Sequence, residues 1–583
     1  MQLSPSQVIV LATPVFFGLI AIEFAWGWAR KRNTYRLNDA INSISLGMLS
    51  EISKVLTRFF RIAIYGAVYN FVAVVHNDAF WMSWYGWLLA LVFYDFCYYW
   101  HHRAGHEVAV FWAAHVVHHQ SQDYNLSTAL RQTSSGALLG WVFYLPMAVA
   151  GVPPLVFGVV LLIDLLYQFW VHTEHVPKLG WFDRWFVSPS NHRVHHAVND
   201  VYLDRNYGGI LIVWDRMFGS FAEEGEKCVY GTRSPLESWD PLWSNAEVYW
   251  GLAKDSWRAK DWGDKLRVWF KPPGWRPADV AQRFPKPAFD MQQVRQFHPP
   301  MTKALMWFAG LQFAAILGGV ALFLWTADQA EMARSVVWLA ALAACLWAVG
   351  AAMQGRISML EVLAIEAAAL ATATGAAGLV ELHRVFKPLT MVLVMVFAAR
   401  RGAHWLLLAA FAFSLVGDVF LMLPGQFIPG LVSFLVAHLF FIALFKRGTA
   451  WFPSRGALLA TLAAAAVMYA ILFPNLAPVL KIAVACYAVV IATMAAQAIG
   501  RAKVQRDGAS AFVAAGAVLF MLSDSLLAIN RFATPLPLAQ LWVLATYYNA
   551  QLLFAHNATE VVMPDSIRHP SWRGEMDPGS SPG

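Results

Sequence analysis

The sequence predicts an all-α polytopic membrane protein: a helical bundle carrying a histidine-rich di-metal site, followed by a second multi-span helical bundle. Three observations predict it. The 583 residues are 58% hydrophobic and only 14% charged, and the apolar residues gather in runs near the ~20 that a bilayer core demands. Eleven of the 18 histidines lie between His101 and His196, where an even spread would put about three. The second half is rich in Ala and Leu, poor in His, and interrupts its apolar runs with single ionisable residues.

Composition also excludes several classes. Cys97, Cys228, Cys345 and Cys486 form no C-x-x-C pair, which argues against a disulfide framework, a zinc ribbon and a cysteine-held iron–sulfur cluster. The net charge of +7 fits cytoplasmic loops facing anionic lipid. Basic residues are interleaved with acids and no RNA-binding signature occurs, so nucleic acid is not expected as a partner. The first apolar run, Val8 to Trp28, lacks a basic n-region and a small-residue cleavage site, and reads as an uncleaved first span.

Arg30, Lys31, Arg32 and Arg36 follow that span, and the positive-inside rule puts them in the cytoplasm. A mixed segment (Glu51, Lys54, Arg58, Arg61) leads to a second span ending near Val75. A third, from about Trp81 to Trp100, delivers His102 and His106 at its cytoplasmic mouth. Gly136–Gly151 and Leu155–Val171 read as an apolar hairpin turned by Gly151-Val152-Pro153-Pro154, returning the chain to the same side at His172. All three histidine clusters then share the cytoplasmic face. From Pro177 to about Pro300 no apolar run can span. This stretch should cap that face and carry interfacial aromatics (Trp243, Trp250, Trp257, Trp262, Trp275), ending in a Pro-rich linker after Lys271. Spans resume near 304–326, 333–352 and 357–378, then 389–400, 404–422, 428–445, 457–473, 479–498, 510–528 and 537–555. The expected boundaries are a first membrane domain with its cap over 1–300 and further spans of that domain over 301–355. A second membrane domain covers 356–560, and a polar, disordered tail covers 561–583.

The histidines fall at helical spacings. His102 and His106 are four apart; His115, His118 and His119 sit at i, i+3, i+4; His192, His195 and His196 repeat that pattern. Residues so spaced share a helix face, with Cβ atoms roughly 5–6 Å apart. A lone histidine at a membrane boundary is ordinarily a surface residue, but three clusters in register are a metal site. The candidate ligands are His102, His106, His115, His118, His119, His172, His192, His195 and His196, too many for one ion and enough for two. Neighbours such as His118 and His119 point about 100° apart on a helix, so each doublet reaches towards both metals. Imidazole suits Zn, Fe, Cu or Ni. A hydrolytic zinc site needs only three ligands and a water, so this abundance points to dioxygen chemistry at two irons. His101 lies off the shared face and reads as non-ligating. Glu107 is expected as a catalytic carboxylate near the metals, offsetting charge or handling a proton. Asp95, seven residues before His102, should face the bundle and support a histidine N–H. Trp214-Asp215-Arg216 reads as a structural ion pair on a turn.

The text around the boxes is specific. HRAGHE (102–107), HVVHHQSQDYNLSTALRQ (115–132), FWVHTE (169–174), SPSNHRVHH (188–196) and NYGGILIVWDRMFGSF (206–221) resemble the membrane fatty acid hydroxylase/sterol desaturase superfamily, nearest to its alkylglycerol monooxygenase branch. The resemblance is dense over roughly 35–235. It implies a di-iron monooxygenase that hydroxylates the ether-bonded carbon of a glyceryl ether, giving a hemiacetal that collapses to a fatty aldehyde. It also implies tetrahydrobiopterin as the external reductant. His175 and Asn191 depart from the family's usual residues.

In the second half the informative residues are Asp418, Asp524 and His438, each alone in an apolar run. Intramembrane ionisable groups are functional suspects; otherwise they are hydrogen-bonding glue between helices. Two acids on separate helices can work as a catalytic acid/base pair, one donating a proton while the other activates water. With Lys387-Pro388, Asn530-Arg531-Phe532, Tyr547 and Gln551 they resemble the YhhN family of membrane lysoplasmalogenases over about 360–557. That resemblance implies hydrolysis of the vinyl ether of a lysolipid. Together the two halves are expected to form a bifunctional ether-lipid-degrading enzyme whose partners are the membrane, a lipid substrate and an external electron donor. The alternatives are a lipid C–H hydroxylase or desaturase (fatty acid, sterol or carotenoid) with a non-catalytic C-terminal domain, and a metal transporter or sensor. The transporter is disfavoured because the histidines lie at the membrane face and not along a span.

Overall fold

The computed structural model describes residues 4–558; the tail expected to be disordered lies outside them. Among the described residues there is no β-strand, only two isolated bridges, Phe186 to Leu211 and Ala197 to Tyr230. Ten helices among the described residues are long and apolar enough to cross a membrane. The protein is an all-α, multi-pass membrane protein. It divides into two compact units, Met1–Met359 and Leu360–Gly583.

The first unit opens with helix Pro5–Ala29, where the Ser4 side chain accepts from Gln7 N and the Gln7 side chain accepts from Ser4 N, satisfying two end donors reciprocally. Glu23, buried in this helix, accepts from Leu126 N at 2.8 Å and Thr173 Oγ1 at 2.5 Å, tying the first span to the histidine loops. Helix Leu37–Val72 is one element of 36 residues. Its first turns bury Asn38, Asp39, Asn42, Ser43, Ser45 and Ser50, and its apolar part is the end, Ala63–Val72. The mixed segment and the apolar stretch after it are one continuous helix. Helix Trp84–Glu107, capped by Ser83, stays helical past Trp100 and carries His102 and His106 on its last turns.

The expected hairpin forms only in part. Pro154–Trp170 is a regular helix, but its partner arm is broken into Gly136–Leu139, a 3₁₀ stretch Gly140–Tyr144, and Leu145–Val149. At the breaks the arm meets groups from distant parts of the chain. A Cβ at Gly140 would lie 2.5 Å from the His101 ring, and one at Gly151 (φ +84°) would lie 1.9 Å from Val75 O, so the chain passes close here and only glycine fits. Helices Pro241–Arg258 and Trp262–Phe270 pack on each other and on the short helix Ala109–Ala113 beside the histidines, and Lys303–Thr326 and Met332–Met353 pack on each other and on Leu37–Val72.

The second unit comprises helices Met359–Ala376, Val380–Arg400, Trp405–Met422, Phe427–Lys446, Arg455–Leu472, Pro478–Gln505, Gly508–Ala528 and Ala539–Asn557. The expected span 389–400 is the end of the longer Val380–Arg400, which contains Pro388. Neighbours pair tightly: Trp405–Met422 with Phe427–Lys446, Arg455–Leu472 with Pro478–Gln505, and Gly508–Ala528 with Ala539–Asn557. The core is aromatic, with Phe411, Phe441, Phe445, Phe520 and Phe554 fully buried. A π-helical turn, Ile529–Ala533, closes the Gly508–Ala528 helix.

Candidate functional site

The first unit brings the nine expected histidines together in two groups. One comprises His102, His106, His115, His119 and His195; the other comprises His118, His172, His192 and His196. Within each group the ring nitrogens offered lie within 4.8 Å of one another. Both doublets split between the groups, His118 from His119 and His195 from His196. His115 does not sit inside a continuous helix. It is the N-cap of the one-turn helix Val116–His119.

Each piece is locked by polar contacts from behind. Arg131, fully buried, donates from Nε to Val117 O at 2.7 Å, from Nη1 to Asn42 Oδ1 at 2.7 Å and from Nη2 to Gln120 Oε1 at 3.2 Å. It thereby clamps the turn that bears His118 and His119. Ser188 caps the helix Pro189–His196. Arg193, on that helix, grips Glu224 with two 2.7 Å bonds and donates to Thr173 O and Val176 O. Asn191, the departure before the third box, donates to Asp183 O and Phe186 O: it serves the loop and is not a ligand.

Does this arrangement fit metal? His102, His118, His172 and His195 each set Nδ1 against a backbone carbonyl, of Tyr207, Arg131, Gln168 and Arg205, at 2.8, 2.9, 2.7 and 3.1 Å. A carbonyl only accepts, so Nδ1 carries the hydrogen and Nε2 keeps a lone pair. Yet Nε2 of His118 and Nε2 of His172 face each other at 3.2 Å. Two lone pairs at that distance repel, and a cation between them would bind both. Buried Nε2 atoms of His106, His195 and His196 have no hydrogen-bond partner among the described residues. Burial pushes His118 down to about 4. Burial, then neighbouring imidazoles, holds His115, His119, His192, His195 and His196 well below the usual histidine range. At neutral pH they are uncharged, the form that ligates metal. The donor set fits.

Other expected residues fall elsewhere. Glu107 does not join the imidazoles. It is 44% exposed and paired with Arg103 at 2.9 Å, and reaches the cluster only through a long contact from the Tyr207 hydroxyl. Asp95 faces the bundle but supports no histidine. Its carboxylate accepts from Ile210 N, Leu211 N and Trp214 Nε1 at 2.7, 3.0 and 2.9 Å, docking the loop whose Tyr207 carbonyl receives His102. Asp215 is structural but not ion-paired to Arg216: it accepts from Tyr207 N, Gly208 N and Ser220 Oγ, each at 2.7 Å, because it closes the same loop. His101 is set aside against Phe143 and Tyr144.

Three contributors escape the sequence reading. Tyr207 lies against His106, ring centroids 5.4 Å apart, but tyrosines are common and nothing marked this one. Arg131 stands in a quoted motif that gave it no role. Asp164 is buried in Pro154–Trp170 with one oxygen unpartnered among the described residues. A lone acid in an apolar run was the signal available for it. A Cβ at Gly209 would lie 2.7 Å from Asp164 Oδ1 and 3.0 Å from Asp95 Oδ1, which is why the Asn206–Phe221 loop needs glycine there.

In the second unit Asp418 and Asp524 are both held by tyrosines. Tyr547 donates to Asp418 at 2.7 Å and Tyr487 donates to Asp524. Their other partners differ: Lys387 Nζ lies 3.3 Å from Asp418, and His438 Nε2 lies 3.9 Å from Asp524. Asp524 and Tyr487 line a cavity of about 740 Å³, mouth included, whose other walls are nearly all apolar, among them Phe427, Phe434, Met468, Ile491 and Phe532. Few polar groups set on apolar walls are the character of a ligand pocket. Asp418 is not on its wall.

Comparison with known proteins places both halves. The fatty acid hydroxylase family model matches residues 87–220, and the YhhN family model matches residues 382–558. The chain is similar to alkylglycerol monooxygenase of Danio rerio (42% identity over 268 residues, 46% of this chain and 59% of the relative). It is also similar to the enzyme of Homo sapiens (40% over 267 residues, again 46% and 59%), so it spans little more than half the length of these relatives. Lysoplasmalogenase TMEM86B of Rattus norvegicus is 37% identical over 171 residues, 29% of this chain and 69% of the relative. No solved structure matches. Through its second unit the chain belongs to the YhhN family, and its first unit carries the match to the fatty acid hydroxylase model.

Proposed function

We propose that the protein degrades ether lipids by two routes, oxidising alkyl glyceryl ethers in the first unit and hydrolysing alkenyl ethers in the second. The observation that carries the first half is the convergence of nine buried imidazoles into two groups with lone pairs turned inward. His102, His106, His115, His119 and His195 would hold one iron, and His118, His172, His192 and His196 the other. Bound there, the iron pair would supply dioxygen activation, with electrons from an external donor read as tetrahydrobiopterin. The overall change is R–CH2–O–R′ + O2 + 2e⁻ + 2H⁺ → R–CH(OH)–O–R′ + H2O. The hemiacetal then loses its hydroxyl proton and breaks its C–O bond, releasing an aldehyde and a glycerol derivative. The chain's own part is positioning: carbonyls fix four rings by Nδ1, the Asp95-docked loop holds Tyr207 over His106, and burial excludes bulk water. Similarity to alkylglycerol monooxygenases supports the choice of the ether-bonded carbon. The basic run Arg30-Lys31-Arg32 supports a cytoplasmic position for the histidine groups.

In the second unit Asp524, facing the cavity beside Tyr487, would give its proton to the outer alkenyl carbon. Water then adds to the cationic ether carbon while the Asp524 carboxylate takes back a proton, and the hemiacetal collapses to aldehyde and lysolipid backbone. Asp418, ion-paired to Lys387 and set back from the cavity wall, would be the second carboxylate of the pair, acting on the charge at Asp524 without touching the substrate. Similarity to lysoplasmalogenases supports this assignment.

The test is metal analysis of the purified protein with product analysis on a labelled alkylglycerol supplied with tetrahydrobiopterin. Two irons per chain and labelled fatty aldehyde are expected. A chain hydroxylated away from the ether would refute the ether-carbon assignment, and a fully active protein without iron would refute the metal assignment.

A further inference from the structure

The second unit's cavity has a direction. Its lining includes Leu421, Phe427, Leu472 and Phe532, all at the bundle end where the turns 423–426, 473–477 and 534–538 lie together. Asp524 sits one helical turn in from Ala528, and Phe434 and Ile491 lie deeper still. At the outer end Phe427 and Phe532 meet edge to face at 5.6 Å. The Arg531 guanidinium is laid over Phe427, 4.1 Å from the ring centroid. Arg531 is exposed, and no carboxylate among the described residues pairs with it. A second cation, Lys481, stands at the same end over Phe473, 4.0 Å from its centroid.

We propose that Arg531, assisted by Lys481, binds the phosphate of a lysolipid headgroup and so sets the register of the alkenyl bond against Asp524. This rests on the alkenyl-ether reading of the second unit. Seven residues of helix separate Asp524 from Arg531, a rise of about 10 Å, which is the order of the span from a lysolipid phosphorus across seven bonds to its alkenyl carbons. With phosphate on the guanidinium, the ether double bond reaches the carboxylate and the hydrocarbon continues past it along the apolar walls. Arginine suits the task, because its planar fork meets phosphate oxygens in pairs and the aromatic lip fixes its plane. The π-helical turn that carries it matters too: such turns re-aim side chains at functional sites.

The full-length protein in lipid nanodiscs is assayed with alkenyl lysophosphatidylethanolamine and with neutral alkenylglycerol. Arg531→Gln should raise the KM ratio of phosphorylated to neutral substrate at least tenfold, and Arg531→Lys should recover most of the preference. A ratio that stays put, or that Lys481→Gln moves while Arg531→Gln does not, overturns the proposal. A second readout stands apart from turnover. A diazirine-bearing alkyl lysophosphatidylethanolamine is crosslinked to the protein, and labelled peptides covering 421–434 and 521–532 are counted. Their yield should fall at least fivefold in Arg531→Gln, while a neutral diazirine alkylglycerol shows no such fall. Equal falls for both probes would mean a distorted cavity and end the proposal. Free inorganic phosphate in excess should compete only weakly; full competition would assign a phosphate site unconnected with the chain. If the crosslinking contrast holds while neither alkenyl lipid is hydrolysed, the phosphate anchor survives and the hydrolase reading falls.

Discussion

In the first unit the reactive groups are fixed from behind by backbone: four imidazoles hang from carbonyls, and the turn bearing His118 and His119 is clamped by Arg131 through a carbonyl and two side-chain oxygens. In the second unit the two carboxylates are met by side chains from neighbouring helices, a tyrosine each, with a lysine at Asp418 and an imidazole near Asp524. The difference follows from what each must hold. Irregular segments outside the bilayer expose carbonyls that can orient ligands. Spanning helices have spent their backbone groups internally, so only side chains remain to position an acid.

Substitutions can break that contrast. The largest effect is expected at His118→Ala, which should lose bound iron and all ether oxidation while alkenyl hydrolysis continues; retained oxidation in that variant would dismiss the ligand assignment. Asp524→Asn should lower alkenyl hydrolysis by roughly 10²–10⁴-fold, the range for a positioned acid, with oxidation intact. Loss of both activities would instead mark a folding defect and leave the two units energetically linked. Asp95→Asn sharpens the comparison, since it touches no imidazole. A looser Tyr207 loop should weaken iron retention roughly 10–100-fold, measured by chelator competition, and an unchanged iron affinity would remove the loop from the account. The smallest change belongs to Glu107→Gln. Its partly exposed pair with Arg103 contributes about 0–1 kcal/mol, so oxidation should stay within about fivefold, and a collapse of turnover would restore Glu107 to the catalytic machinery.

Much of this was legible in the chain. Helical spacing brought out eight of the nine histidines, all but His172, and the splitting of doublets, because ring direction follows directly from residue number on a helix. It could not reveal that His115 caps a single turn, since the Ala109–His119 segment reads as apolar helix until the His-bearing pieces are seen to pack separately. Asp95 was expected to bond a histidine, and its seven-residue offset was right for depth. What it holds is a loop more than a hundred residues away, and no local pattern encodes that distance. The broken Gly136–Val149 arm was read as a plain span for the same reason: the His101 ring and Val75 carbonyl that press on its glycines come from elsewhere.

The doublets carry one more consequence. His118 and His119 are joined by a single peptide bond yet serve different groups, and so are His195 and His196. Seating an ion in either place therefore further restrains two ligands of the other and lowers the ordering cost when the second arrives. Filling should be cooperative. A titration of the metal-stripped protein with iron ought to pass from empty to doubly loaded chains with fewer singly loaded species between than independent filling would give, as native mass spectrometry would count them.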